Sequence, residues 1–116
     1  MNTRFVLILT LATGLVCGDS IEPDKGKEKT SEEIENVKLS CSYSTSSSYV
    51  CLYWYRQYLN GETQYLVHRY ARSWGNDEYK SDDRFQSATS ESSTELTITN
   101  VHLSDSALYY CALRVR

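Results

Sequence analysis

The chain has 116 residues, 41% of them hydrophobic and 23% charged, with a formal net charge of −3. That length leaves room for one domain, and a mild acidic excess argues against a nucleic-acid binder, whose footprint is basic. Arg4 and the apolar run from Phe5 to Val16, broken only by Thr10, Thr13 and Gly14, open the chain. With Val16 and Gly18 at small-residue positions, this predicts a signal peptide over 1–18 and a domain over 19–116. The run is short for a membrane span, and no later stretch approaches that length. Cys17 would leave with the signal, and loss of Arg4 would make the remainder one charge more acidic. Export makes disulfides permissible. No Asn-x-Ser/Thr sequon is present, so no N-glycosylation is expected.

Asp19 to Lys29 is polar and holds the single proline, Pro23, which suits an edge strand anchored by Ile21. Glu32 to Asn36 reads as an acidic turn. Val37 to Tyr43 alternates, with Val37, Leu39 and Cys41 on a core face. Ser44 to Ser48 is a polar loop ending in Tyr49-Val50. The next strand, Cys51 to Gln57, puts Leu52 and Trp54 inward, so Cys51, Tyr53, Tyr55 and Gln57 share the outer face. Two tyrosines and an amide on an outer face invite a partner. Asn60-Gly61 is a hairpin signal, and Thr63 to Arg69 returns with Thr63 and Tyr65 on the Tyr55 side. Tyr70 to Asn76 is a second loop, carrying Arg72 and Trp74. Phe85, then Leu96 and Ile98, then Ala107, Tyr109 and Cys111 face inward on the later strands, while Tyr110 turns outward.

Chemistry is absent from this pattern. His68 and His102 fall on different elements without acidic company and read as surface or turn residues. The cysteines form no Cys-x-x-Cys pair, and neither a phosphate-binding glycine loop nor a nucleophile elbow occurs. No catalytic, cofactor-binding or metal-ligating residue is expected, and the chain reads as a non-enzyme.

Trp54-Tyr55-Arg56-Gln57, Arg84-Phe85, Leu96-Thr97-Ile98 and Asp105-Ser106-Ala107-Leu108-Tyr109-Tyr110-Cys111-Ala112 resemble an antigen-receptor variable domain. The likeness covers essentially all of 19–116 and is nearest to a T-cell receptor alpha or delta variable segment in germline form. Immunoglobulin light-chain segments share much of the pattern. Trp54-Tyr55-Arg56-Gln57-Tyr58 and Cys111-Ala112-Leu113-Arg114 lean towards the T-cell receptor.

The resemblance implies an all-β, V-type Greek-key sandwich of two antiparallel sheets, with the final Phe-Gly-x-Gly strand missing after Arg116. It implies a Cys41–Cys111 disulfide packed on Trp54, a buried Tyr109 whose hydroxyl bonds to upstream backbone, and an Arg84–Asp105 ion pair. Tyr55, Gln57, Thr63, Tyr65 and Tyr110 would form the face that pairs with a second variable chain. Ser46, Ser47, Ser48, Tyr49, Arg72, Trp74, Leu113 and Arg114 would contact antigen, a peptide on a major histocompatibility molecule. Signalling chains would join through constant and membrane regions outside this sequence, at the extracellular face of the plasma membrane after passage through the secretory pathway. An immunoglobulin light-chain segment and an innate V-type regulatory or adhesion receptor are the alternatives. Cys51 is the odd thiol: a free filler, or a bonding partner for a cysteine in the third loop or in a partner chain.

Overall fold

The alternation of Val37, Leu39, Cys41 and Tyr43 builds β4 (Val37–Ser44), every second side chain of which is buried. In a computed structural model, which describes residues 2–9, 19–24, 28–32 and 36–116 (side chains for 19–24 and 36–116), β4 is central in one of two sheets. Its sheet runs β2 (Ser20–Pro23), β4, β9 (Ser93–Ile98), β8 (Phe85–Thr89). Leu39 lies opposite Leu96 and Cys41 opposite Thr94. Pro23 ends the edge strand, and Ile21 is its buried anchor.

The other sheet is ordered β3 (Glu28–Glu32), β1 (Asn2–Leu9), β10 (Ala107–Val115), β5 (Tyr49–Gln57), β6 (Thr63–Arg72), β7 (Glu78–Lys80). All its pairings are antiparallel except one: β1 runs parallel to β10, from Phe5 beside Ala107 to Leu9 beside Cys111. The edge of β10 where the family resemblance implies a final strand is occupied by β1, from the N-terminal apolar run. Residues 10–18, with the expected cleavage site and Cys17, and residues 33–35 of the expected acidic turn, lie outside the described residues.

The fold is all-β, two sheets closed face to face by one disulfide. Cys41 and Cys111 are 70 residues apart in sequence and joined, with Cα atoms 6.7 Å apart. Closing so long a loop contributes about 4 kcal/mol in a chain-entropy treatment. Trp54 stands opposite Cys111 on β5 and is fully buried. Its indole Nε1 donates to Thr94 Oγ1 (3.2 Å), so the largest core side chain reaches across to β9 with its one polar atom satisfied.

At the lower end a short 3-10 turn, Leu103–Asp105, leads into β10. The Tyr109 hydroxyl donates to the Asp105 carbonyl (2.6 Å). Arg84 grips the Asp105 carboxylate with two nitrogens, at 2.5 and 3.3 Å. A second guanidinium, absent from the sequence reading, completes the cluster: Arg56 Nη1 donates to Asp105 Oδ1 (2.9 Å) and to the Tyr109 hydroxyl (3.1 Å). The signal was available, because Arg56 shares the inward parity of Leu52 and Trp54, and a cation on a core face needs an anion.

One irregularity sets the outer face. Between Trp54 and Tyr55 the β5–β6 register slips, with Trp54 opposite Val67 but Tyr55 opposite Tyr65. Leu66 is the extra residue of a β-bulge, and Leu66 and Val67 are both buried. Tyr65 and His68, three apart, thereby come to the same side of the sheet.

Candidate recognition and pairing surfaces

Two surfaces stand out, and the first is the outer face of the larger sheet. Strict alternation along β5 sends Tyr53 and Tyr55 outward, and their rings stack at 6.1 Å. Tyr55 also stacks on Tyr110 of β10 (5.7 Å) and meets Tyr65 edge-on (6.2 Å). Beyond the bulge, His68 lies between Tyr53 (4.9 Å) and Tyr79 (5.1 Å), and its Nδ1 is 2.8 Å from the Tyr65 hydroxyl. That hydroxyl also donates to the Tyr79 carbonyl (2.8 Å). The result is a continuous aromatic layer over four strands, half-buried except at the more exposed Tyr79. Burial pushes the Tyr53 hydroxyl up to about 12, the Cys51 thiol beside it adding to the effect. Burial holds the His68 imidazole below its ordinary range, and the positive charge of Arg114 adds to that.

The second surface is the end of the sandwich where the loops 45–48, 72–77 and 90–92 meet the end of β10. Tyr49, at the start of β5, and Tyr70 both meet Trp74 edge-on (5.6 and 5.4 Å). The Arg114 guanidinium lies over the Trp74 ring (5.2 Å), and that of Arg116 over Tyr49 (4.8 Å). Trp74 is therefore held from three sides, yet remains partly exposed. Neither Arg114 nor Arg116 has a carboxylate at ion-pair distance among the described residues. Ser47 Oγ bridges to the carbonyls of Tyr49 (3.1 Å) and Arg116 (3.2 Å), tying the first loop to the end of β10.

Among the described residues no group of His, Cys, Asp and Glu could hold a metal ion, and no helix is long and apolar enough to cross a membrane. The family model for the immunoglobulin V-set domain matches residues 26–116. The chain belongs to the immunoglobulin V-set. This V-set domain is 40% identical to human T cell receptor alpha variable 18 over 111 residues, 93% of each chain. It is 34% identical to the mouse T-cell receptor alpha chain V region CTL-F3 over 114 residues, 97% of this chain and 82% of that one. Human T cell receptor alpha variable 14/delta variable 4 is 37% identical over 84 residues, 72% and 71% of the two chains.

The V-set framework distributes the residues singled out in the sequence unevenly. Tyr55, Tyr65 and Tyr110 come together in the aromatic layer, with Gln57 and Thr63 opposite each other at its lower rim. Ser46, Ser48 and Tyr49 are exposed and Ser47 half-buried at the loop end. Leu113 does not belong with them. The β10 strand continues to Val115, so Leu113 keeps the inward parity of Tyr109 and Cys111, lies opposite Leu52 and is buried in the core. Arg72 also departs from its expected place, since its guanidinium turns inward under the loops rather than outward from them.

His68 differs as well. It is no isolated surface residue but the centre of the aromatic layer, which also takes in Tyr70 and Tyr79. Plain alternation from Tyr65 could not show this, because the bulge at Leu66 reverses the parity. Cys51 does lie outside the core cluster, as its parity requires, opposite Arg114 on β10. It is free and fully buried. Burial pushes its thiol up, which keeps it protonated and a poor nucleophile.

Proposed function

We propose that this V-set domain is the antigen-recognition variable domain of a T-cell receptor chain. It pairs through the aromatic outer face with a second variable chain and presents its loop end to peptide held by a major histocompatibility molecule. The observation that carries the reading is the aromatic layer of Tyr53, Tyr55, Tyr65, His68 and Tyr110. Tyrosine supplies large, rigid contact area with polar tips, the composition that suits a protein–protein interface rather than bare water. The similarity to T-cell receptor alpha variable chains in human and mouse supports it. The loop end fits the same role: its serines give adaptable hydrogen bonds, and Tyr49 and Trp74 give rigid anchors. Ser46, Ser48, Tyr49, Trp74 and Arg114 are its contact residues. Residues 1–18 act as the export signal, and the domain works at the extracellular face of the plasma membrane, with signalling chains engaged through constant and membrane regions.

The test is pairing. Extended by a joining strand and an alpha constant region, the domain should reach the cell surface with a T-cell receptor beta chain. Tyr55→Arg should reduce that surface pairing at least tenfold while the isolated domain still folds with a cooperative melt. Pairing with immunoglobulin heavy chains and with no beta chain would overturn the reading in favour of a light-chain segment.

A further inference from the structure

Arg72, the last residue of β6, has a backbone φ of +59°. A non-glycine residue enters that left-handed region seldom, and then where its surroundings hold it there. What surrounds Arg72 is its own guanidinium's set of partners. Nη1 donates to the carbonyls of Thr45 (2.8 Å) and Ser47 (2.7 Å), and Nη2 to the carbonyl of Glu91 (2.5 Å). The guanidinium lies 5.3 Å over the Tyr43 ring, and Nε is 3.9 Å from the Glu91 carboxylate. Nε itself is buried without a hydrogen-bond partner, so the three carbonyls, rather than the carboxylate, set the orientation of the group.

Those carbonyls belong to two separate connections. Thr45 and Ser47 lie in the loop from β4 to β5, and Glu91 in the turn from β8 to β9. Arg72 itself opens the second loop. Ser73 N–H donates to the Ser48 carbonyl (2.8 Å), joining the second loop to the first, and Tyr43 N–H, on β4, donates to the Ser92 carbonyl (2.8 Å) of the 90–92 turn. Tyr43, under the guanidinium, donates its hydroxyl to the Ser90 carbonyl (2.6 Å). A planar group with several fixed donors is suited to holding three carbonyls from two segments at once, and arginine is the side chain with that fork.

We propose that Arg72 is the positioning residue of the recognition end: one partly buried guanidinium sets the first loop, the second loop and the 90–92 turn relative to one another, so that specificity is shaped from beneath the contact surface. The proposal rests on reading that end as a recognition surface, but its test does not use a ligand. Amide hydrogen exchange is measured on the full chain for wild type, Arg72→Gly and Arg72→Lys. Glycine accepts the positive φ without strain, so Arg72→Gly removes the side chain and leaves the backbone path intact. The amides of Ser47, Tyr49, Ser73 and Ser93 should exchange at least tenfold faster in Arg72→Gly, with Cys41, Trp54, Leu96 and Ile98 unchanged. Arg72→Lys, a charge without the fork, should recover less than half of the lost protection. Wild-type exchange in Arg72→Gly would overturn the proposal. So would a parallel rise in loop and core amides, which would make Arg72 a general stabiliser, or full recovery by lysine, which would make charge alone sufficient. These outcomes leave the pairing experiment untouched, so the two readings fail separately.

Discussion

Asp105 shows what a single buried carboxylate does in this domain. It is almost fully buried and faces two guanidiniums, Arg56 and Arg84. Replacing it removes the anion but leaves Arg56 buried against Phe85 and Tyr58. Breaking a buried pair from one side costs about 3–5 kcal/mol, so Asp105→Ala should lower unfolding free energy by that order in urea denaturation. The Arg84–Asp105 pairing was legible, because an acid ahead of the corner tyrosine needs a cation. Arg56 is equally inward, but within Trp54-Tyr55-Arg56-Gln57 its partner lies 49 residues away and is not marked by any local pattern.

His68 gives the second residue-scale expectation. Its folded-state pKa lies below the unfolded value near 6.5, so the unfolded chain binds the extra proton more readily. The stabilisation is complete above about pH 6.5 and is lost as the pH falls from there through the folded-state value. The groups facing the imidazole are Tyr53, Tyr65, Tyr70 and Tyr79, with Arg114 adding positive charge. None of them supplies an anion to rescue the imidazolium. Thermal melts between pH 5 and 7 should therefore fall more steeply in wild type than in His68→Phe, which keeps the stacking and loses the titration.

At the scale of elements, the strands follow from alternation, and departures occur where geometry breaks the period. The parity of β4, β5 and β9 was readable because each has one buried and one solvated or partner-facing side. The bulge in β6 was not, since Leu66-Val67 is simply two apolar neighbours in sequence; only the pairing with β5 shows which is extra. Leu113 departs from expectation for the opposite reason: the alternation runs on past Cys111, where the resemblance implies a loop. The Asn60-Gly61 turn is legible and carries its own prediction. Gly61 sits at φ +91°, and an added Cβ would meet nothing within 4 Å, so only the backbone conformation resists substitution. A side chain forced into left-handed backbone costs roughly 1–2 kcal/mol. Gly61→Ala should destabilise by that amount, and Gly61→Asn by less, as chemical denaturation would show.

For the molecule as a whole, the flank that matters is the edge of β10 away from β5. Its backbone groups are met by β1, whose residues the proposed export signal would carry away. A chain of residues 19–116 would then present an unpaired edge of β10 next to the aromatic face of Tyr110 and Tyr55, the combination that templates association between copies. Light scattering and size-exclusion chromatography of that shortened chain should show concentration-dependent oligomers. A monodisperse species with a cooperative melt would count against this.

The β1–β10 pairing joins the two strands that lie farthest apart in sequence among the described residues. At roughly 5–20 residues per second, on the order of ten seconds separates the making of the two. The pairing of β5 with β6 can form within that interval, whereas β10 has to be made before either β5 or β1 can pair with it. The order of events, not the strength of the pairing, then decides its fate. If the first residues are cut away during translocation, β1 and β10 never meet, and the edge is left to the first compatible strand that arrives.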